Sequence, residues 1–297
     1  MKYIVLLSMC VIFLSGCNTS EKEKRSNTTD MTSMNEMNHD GMENHIGCQE
    51  NELDEDGNCV PAEDNNRMLF DQDLSSQVVS QDVIEWELMG YLSEPVWVED
   101  APWVVMIHEW WGLNDNIKYM ADVLASEGYR VFAIDLYNGN VAETSDEAWT
   151  LARAVRWDTE GAVRKMELAK DFLQRDGKSR KIASYGWCFW GQQSFNLALN
   201  TPLDASVVYY GNVPTEDDMI ANIGGPILGI FGTQDSGIPV QWVEEFAQKA
   251  RNLWKEIELH YYEAGHAFAN PSGWNYEPEA TLDAWDKTLQ FLDSQLR

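Results

Sequence analysis

The sequence predicts an α/β fold in which a mostly parallel sheet is covered by helices on both faces. Three observations carry this. Short apolar runs such as Trp103 to Ile107 and Ile227 to Phe231 show no polar alternation, which marks strands buried on both sides. Longer segments between them carry apolar residues at three- and four-residue spacing, which marks helices with one buried face. Strand and helix segments alternate along the chain, and that alternation builds parallel sheets through right-handed crossovers. The 297 residues suffice for one large domain of this kind or two small ones.

At the start of the chain, Lys2 is followed by the apolar run Tyr3 to Leu14 and then Ser15-Gly16-Cys17. The run is too short to span a bilayer comfortably, and residues 1–17 read as a targeting signal. Leu14-Ser15-Gly16-Cys17 resembles the bacterial lipobox. That resemblance implies acylation of Cys17, loss of Cys10 with the signal, and a lipid anchor in the cell envelope. With Asn18 next, the anchor is expected at the outer membrane, facing the periplasm or the cell surface. Residues 18–69 lack element periodicity and read as a flexible tether. Met31, Met34, Met37, His39, Met42 and His45 are soft-metal ligand types, but nothing fixes a coordination geometry, and no metal site is assigned. Beyond the cell membrane, Cys48 and Cys59 are expected to pair as a disulfide.

Residues 70–297 read as the folded domain. Val78, Val79, Val83, Ile84, Trp86 and Leu88 mark two extended segments between Gln77 and Leu92, expected as an antiparallel edge pair. Trp103 to Ile107 is the first fully buried strand. Asn114 can cap the next helix, which carries Ile117, Met120, Ala121 and Leu124 and stops at Gly128. Val131 to Leu136 is a strand, broken by Asn138-Gly139-Asn140. A helical region runs from about Asp146 to Gln174, interrupted near Asp158 to Gly161. Ile182 to Tyr185 is a strand that enters a tight turn, and a helix follows from Gly191 to about Leu199. Further strands fall at Ala205 to Tyr210, Ile227 to Phe231 and Ile257 to Tyr262. Helices start at Pro239 and Pro278, the last with Leu282, Trp285, Leu289 and Leu292 on one face.

Chemistry in such sheets collects beyond the carboxyl ends of the strands. Four of those loops carry reactive residues: Glu109, Cys188, Asp235 and His266. Cys188 sits on a strand-to-helix turn, where a thiol meets the positive end of a helix and can act as a nucleophile. A thiol is mostly protonated at neutral pH and needs a base, which His266 can supply while Asp235 orients the imidazole. Asp204 and Asp217 are alternatives for the acid. Acyl transfer also needs donors for the developing oxyanion, and in this arrangement they are the backbone N–H groups of Phe189 and Trp110. Nucleophile, acid and histidine follow one another in the α/β-hydrolase order.

His108-Glu-Trp-Trp-Gly-Leu-Asn114, Asp135-Leu-Tyr137, Gly186-Trp-Cys188, Tyr209-Tyr-Gly211, Gly232-Thr-Gln-Asp235 and Ala264-Gly-His-Ala-Phe268 occur in that order. From about Val78 to the C-terminus the chain resembles the dienelactone hydrolase family of α/β-hydrolases. The resemblance implies a Cys188-His266-Asp235 triad, with Glu109 interacting with the resting thiol and helping to form the thiolate. It further implies hydrolysis of a lactone or activated ester through an acyl-cysteine, with no metal and no cofactor. The family elbow has glycine where this chain has Trp190, so an indole must be accommodated beside the nucleophile. Founding members hold a substrate carboxylate with arginines, and Asn270 stands where one of these would follow the histidine loop.

Trp111, Trp187, Trp190 and Asn270 are expected to line the substrate pocket, and the partner is expected to be an apolar or aromatic ester or lactone. A formal charge of −28 argues against nucleic acid and against any membrane contact beyond the anchor. The chain is expected as a monomer. The competing reading is a non-catalytic ligand- or metal-binding lipoprotein on a hydrolase scaffold.

Overall fold

The computed structural model describes residues 72–175, 180–188, 191–271 and 273–297. The lipobox, the Met/His-rich stretch and the Cys48–Cys59 pair lie outside the described residues, as do Phe189 and Trp190. Among the described residues, no helix is long and apolar enough to cross a membrane.

Eight strands form one sheet in the order β1-β2-β4-β3-β5-β6-β7-β8. β1 (Val78–Glu85) and β2 (Leu88–Pro95) pair antiparallel at one edge, as expected of the two extended segments. β2 lies antiparallel to β4 (Arg130–Ile134), and β4 starts the parallel part. β3 (Trp103–Ile107) is central, between β4 and β5 (Ile182–Trp187). β6 (Ala205–Tyr209), β7 (Ile227–Gly232) and β8 (Ile257–Tyr262) follow in order to the far edge.

The absence of polar alternation in the inner strands reflects two separate cores. Trp103, Val105 and Ile107 of β3 point into one, with Phe132 and Ile134 of β4. That core is closed by α3 (Thr159–Leu173), α4 (Gly191–Asn200) and α6 (Val240–Asn252) through residues such as Met166, Phe195 and Phe246. Val104 and Met106 point the other way, against α1 (Asp115–Ser126) and α7 (Pro278–Leu296). Period-2 side-chain alternation thus feeds two apolar layers at once.

The helix starts follow side-chain chemistry. Asn114 accepts the Ile117 N–H and caps α1, and Gly128 takes the left-handed conformation that ends the segment, at φ 92°. Thr144 caps α2 (Ser145–Trp157). Asp158 ends α2 and caps α3 through the Gly161 N–H, which is the interruption seen in the sequence.

Three expectations are corrected. β4 stops at Ile134 because Asp135 turns the chain, its carboxylate accepting the N–H groups of Tyr137 and Gly139. A short helix, α5 (Asp217–Ala221), was not expected; five residues carry too little periodicity to be read. On α7 the buried face is Thr281, Ala284, Trp285, Thr288, Phe291 and Leu292, while Leu282 is exposed. Thr281 and Thr288 occupy that face because each hydroxyl returns a hydrogen bond to a carbonyl one turn back, Glu277 and Ala284. Trp285 and Leu292 lie on that face as expected and Leu289 packs at its edge, so Leu282 alone is misplaced.

Candidate active site

β5 delivers Cys188 to the carboxyl edge of the sheet, and α4 begins three residues later. Cys188 is half-buried and has φ 60°. A side chain in that region costs on the order of 1–3 kcal/mol, which the packed strand and helix on either side must hold. The turn places Sγ 3.1 Å from Nε2 of His266. On its other side His266 Nδ1 lies 2.6 Å from Oδ2 of Asp235. Asp235 is buried, and its Oδ1 accepts the N–H groups of Gly237 and Ile238 at 2.9 and 3.1 Å. The sequence therefore placed three residues on three separate loops that the fold brings into one hydrogen-bonded line.

The acid and histidine loops are fastened together. Thr233 N–H donates to Tyr262 O at 2.7 Å, and Gln234 N–H to Ala264 O at 3.0 Å. A Cβ on Gly232 would run into the Ala264 carbonyl, so this close approach requires glycine. Asn275 donates to His266 O at 2.9 Å and steadies the histidine from outside. Asp204 and Asp217 are elsewhere. Asp204 accepts the Ile182 N–H at the opposite end of β5, and Asp217 pairs with Lys249 at the surface.

The electrostatics favour a charged imidazole facing an ionised Asp235. Burial works against a charged His266, but Cys188 and the hydrogen bond to Asp235 outweigh it and hold the imidazole well above its ordinary value. For Asp235, burial raises the carboxyl, and its bonds to His266, Ile238 and Gly237 more than reverse this, leaving it below its usual range.

Glu109 follows β3 and is buried. Asn270 donates to its Oε2, and the Tyr210 hydroxyl lies 3.5 Å from Oε1. Burial lifts this carboxyl to about 7, while His266 and the two donors pull the other way. Asn270 was expected as a pocket wall; it is buried and directed at Glu109. Tyr210 was missed as a site residue. Its signal was the Tyr209-Tyr210-Gly211 motif at a strand end, where the chain turns with φ 37°. Its ring meets that of His266 edge-on at 5.3 Å.

Trp110 and Trp111 are half-buried neighbours with ring centroids 4.9 Å apart. The Trp110 N–H has no protein acceptor among the described residues. Trp187 is corrected from pocket to core. As the last residue of β5 it is buried, with its ring 4.1 Å from Tyr185 and 6.2 Å from Tyr209. Strand alternation sends its side chain into the α1/α7 layer while the next residue turns out of the sheet. Among the described residues no cluster of metal-ligating side chains is present.

A mostly parallel sheet with a strand-to-helix elbow and acid and histidine on later strand ends defines an α/β-hydrolase. The family model for the dienelactone hydrolase family matches residues 88–296, and the chain belongs to that family. Protein usf of Aquifex pyrophilus is 32% identical over 222 residues, which is 71% of this chain and 94% of that one. Carboxymethylenebutenolidase 1 of Cupriavidus pinatubonensis is 28% identical over 217 residues, 68% of this chain and 90% of that one. Among solved structures, a dienelactone hydrolase-like promiscuous phosphotriesterase from metagenomic libraries superposes with a TM-score of 0.68. It is 21% identical, and the match covers 74% of this chain and 100% of that one. The chain is a lactone or ester hydrolase of this family.

Proposed function

We propose that the chain hydrolyses a neutral, apolar or aromatic lactone or small ester through an acyl-cysteine on Cys188. The observation that carries this is the line from Cys188 Sγ through His266 to Asp235, 3.1 and 2.6 Å. The thiolate attacks the substrate carbonyl and the carbonyl π pair moves to oxygen, where the N–H groups of Trp110 and Phe189 receive it. Collapse breaks the C–O bond, and His266 protonates the departing alkoxide. Water, deprotonated by His266, then attacks the thioester, releasing the carboxylic acid and restoring the thiol pair. Glu109 stands beside this line and assists formation of the thiolate.

The donors around Glu109 support a neutral substrate. Both are uncharged, an amide and a phenol, and Asn270 stands where an arginine would invite a substrate carboxylate. Trp110 and Trp111 offer half-buried apolar surface on the loop after β3. The domain hangs from the envelope by an acylated Cys17, and Cys17→Ser is expected to move the protein from the membrane fraction to the soluble fraction.

The test is a panel of neutral aryl esters and lactones. Wild type is expected to turn over members of it and to show, after rapid acid quench, a mass increase equal to the acyl group on Cys188. Cys188→Ala and His266→Ala should each lower kcat by about 10⁴-fold or more, as for members of catalytic triads. A folded wild type with no turnover on the panel and no adduct overturns the proposal.

A further inference from the structure

His108 is a fully buried titratable group beside the site with no part in the chemistry above. It follows β3, and two contacts fix its tautomer. The Leu136 N–H points at Nε2 from 3.2 Å, and a backbone N–H can only donate. Nε2 is therefore the acceptor, and the ring proton is on Nδ1, which donates it to the Glu109 carbonyl at 2.6 Å. Burial keeps the ring neutral, pulling it down to about 4, against the bond to Glu109 and the charge of Asp135. Tyr137 packs edge-on against the imidazole at 4.7 Å.

The Glu109 carbonyl and the Trp110 N–H belong to one planar trans peptide and point in opposite directions. A grip on the carbonyl thus sets the direction of the N–H. Gly112 N–H adds a second grip on the same oxygen at 3.1 Å, from within a turn that needs its φ of 97°. The next two carbonyls are also held: Trp110 O by the Tyr137 hydroxyl at 3.0 Å, and Trp111 O by the Ala142 N–H at 2.9 Å. Every carbonyl along this stretch has a donor, whereas the Trp110 N–H has no protein acceptor among the described residues. A fully buried imidazole that ties the Glu109 carbonyl to the Leu136 N–H is a costly arrangement for a loop that only connects a strand to a helix.

We propose that His108 is a positioning residue for the oxyanion site, its Nδ1–H locking the Glu109–Trp110 peptide so that the Trp110 N–H faces the oxygen of a carbonyl bound at Cys188. This rests on the thiol-ester reading given above. The effect operates where negative charge develops on that oxygen and is small in the substrate ground state.

The experiment compares wild type, His108→Phe, which keeps a ring and removes both hydrogen bonds, and His108→Asn, whose amide can still donate to the Glu109 carbonyl. Three quantities are measured: kcat and KM on a neutral aryl ester, inhibition by an aryl trifluoromethyl ketone, and the rate of Cys188 alkylation by iodoacetamide. The ketone adduct carries an oxyanion; alkylation at carbon forms none. For His108→Phe, kcat is expected to fall about 10- to 100-fold, below the loss for outright removal of an oxyanion donor, with KM within about twofold. Ketone affinity should fall in parallel with kcat, and the alkylation rate should stay at the wild-type value. His108→Asn should restore most of both losses.

Unchanged kcat and ketone affinity in folded His108→Phe overturns the proposal. So does a parallel loss of alkylation, which would mean a general disturbance of the triad. If His108→Phe does not fold, His108→Leu, which also removes both hydrogen bonds, takes its place under the same two criteria. Absence of ester turnover by wild type sinks the hydrolase reading itself, a result separate from any of these.

Discussion

Glu109 has one of the most consequential local environments in the molecule. Its carboxyl is raised from 4.5 to about 7, first by burial, against the pull of His266, Asn270 and Tyr210. Between those two values the native state holds a proton that the unfolded chain has released, so the contribution of this group to stability falls as pH rises from about 4.5 to 7. At about 1.4 kcal/mol per tenfold change in proton affinity, the loss reaches about 3 kcal/mol above pH 7. Glu109→Gln removes the buried charge. Thermal or urea unfolding should show the variant close to wild type near pH 4.5 and more stable by about 1–3 kcal/mol at pH 8. An identical pH dependence in the two proteins would contradict this. Glu109 itself was legible, because it follows a fully apolar strand. Its partners were not: Tyr210 lies 101 residues away and Asn270 lies 161 away. No spacing rule connects residues that meet only after the sheet has closed. Trp187 was misplaced for a related reason, since sequence shows that it adjoins Cys188 but leaves open which side of the sheet its side chain takes.

At the scale of the element, the connection between α2 and α3 makes a sharp prediction. Asp158 accepts the Gly161 N–H at 3.0 Å and satisfies one of the donors left open at the start of α3. Asp158→Ala should destabilise the domain by about 1 kcal/mol in chemical denaturation, with kcat on a neutral ester unchanged, because α3 packs on α4, β4 and β3 and supplies no residue to the line of Cys188, His266 and Asp235. Asp158→Asn, which can still accept, should recover most of the loss. The same element shows what made the fold readable. Caps such as Asn114 and Asp158 and the unbroken apolar strands are local signals, complete within a few residues. α5 and the exposed Leu282 escaped because the first is too short to show a period and the second is governed by buried threonines, whose backbone bonds make them acceptable in a core.

For the whole molecule, acidic residues outnumber basic ones by 49 to 21, and the resulting field is expected to disfavour anionic substrates before any contact is made. An aryl ester and its analogue with a carboxylate on the acyl chain should differ in kcat/KM in favour of the neutral one. Raising ionic strength from about 0.02 to about 0.5 M should narrow the gap as the Debye length shrinks. Equal kcat/KM for the two at low salt would count against both the field and the uncharged donors at Glu109. Asn270→Arg should reduce the preference by placing a cation beside the site, read from the same pair of substrates.

The central position of β3 has a further consequence, for biosynthesis. β3 is made early but flanked on one side by β5, and the thiol at the end of β5 meets its base only 78 residues later. At about 5–20 residues per second the ribosome needs roughly 4–16 s to cover that distance. For that interval the nascent chain carries Cys188 without His266 beside it, so the nucleophile is assembled only when synthesis of the domain is nearly complete. Under the proposed mechanism, the order of β5 and the His266 loop along the chain thereby leaves the thiol without its base on the ribosome.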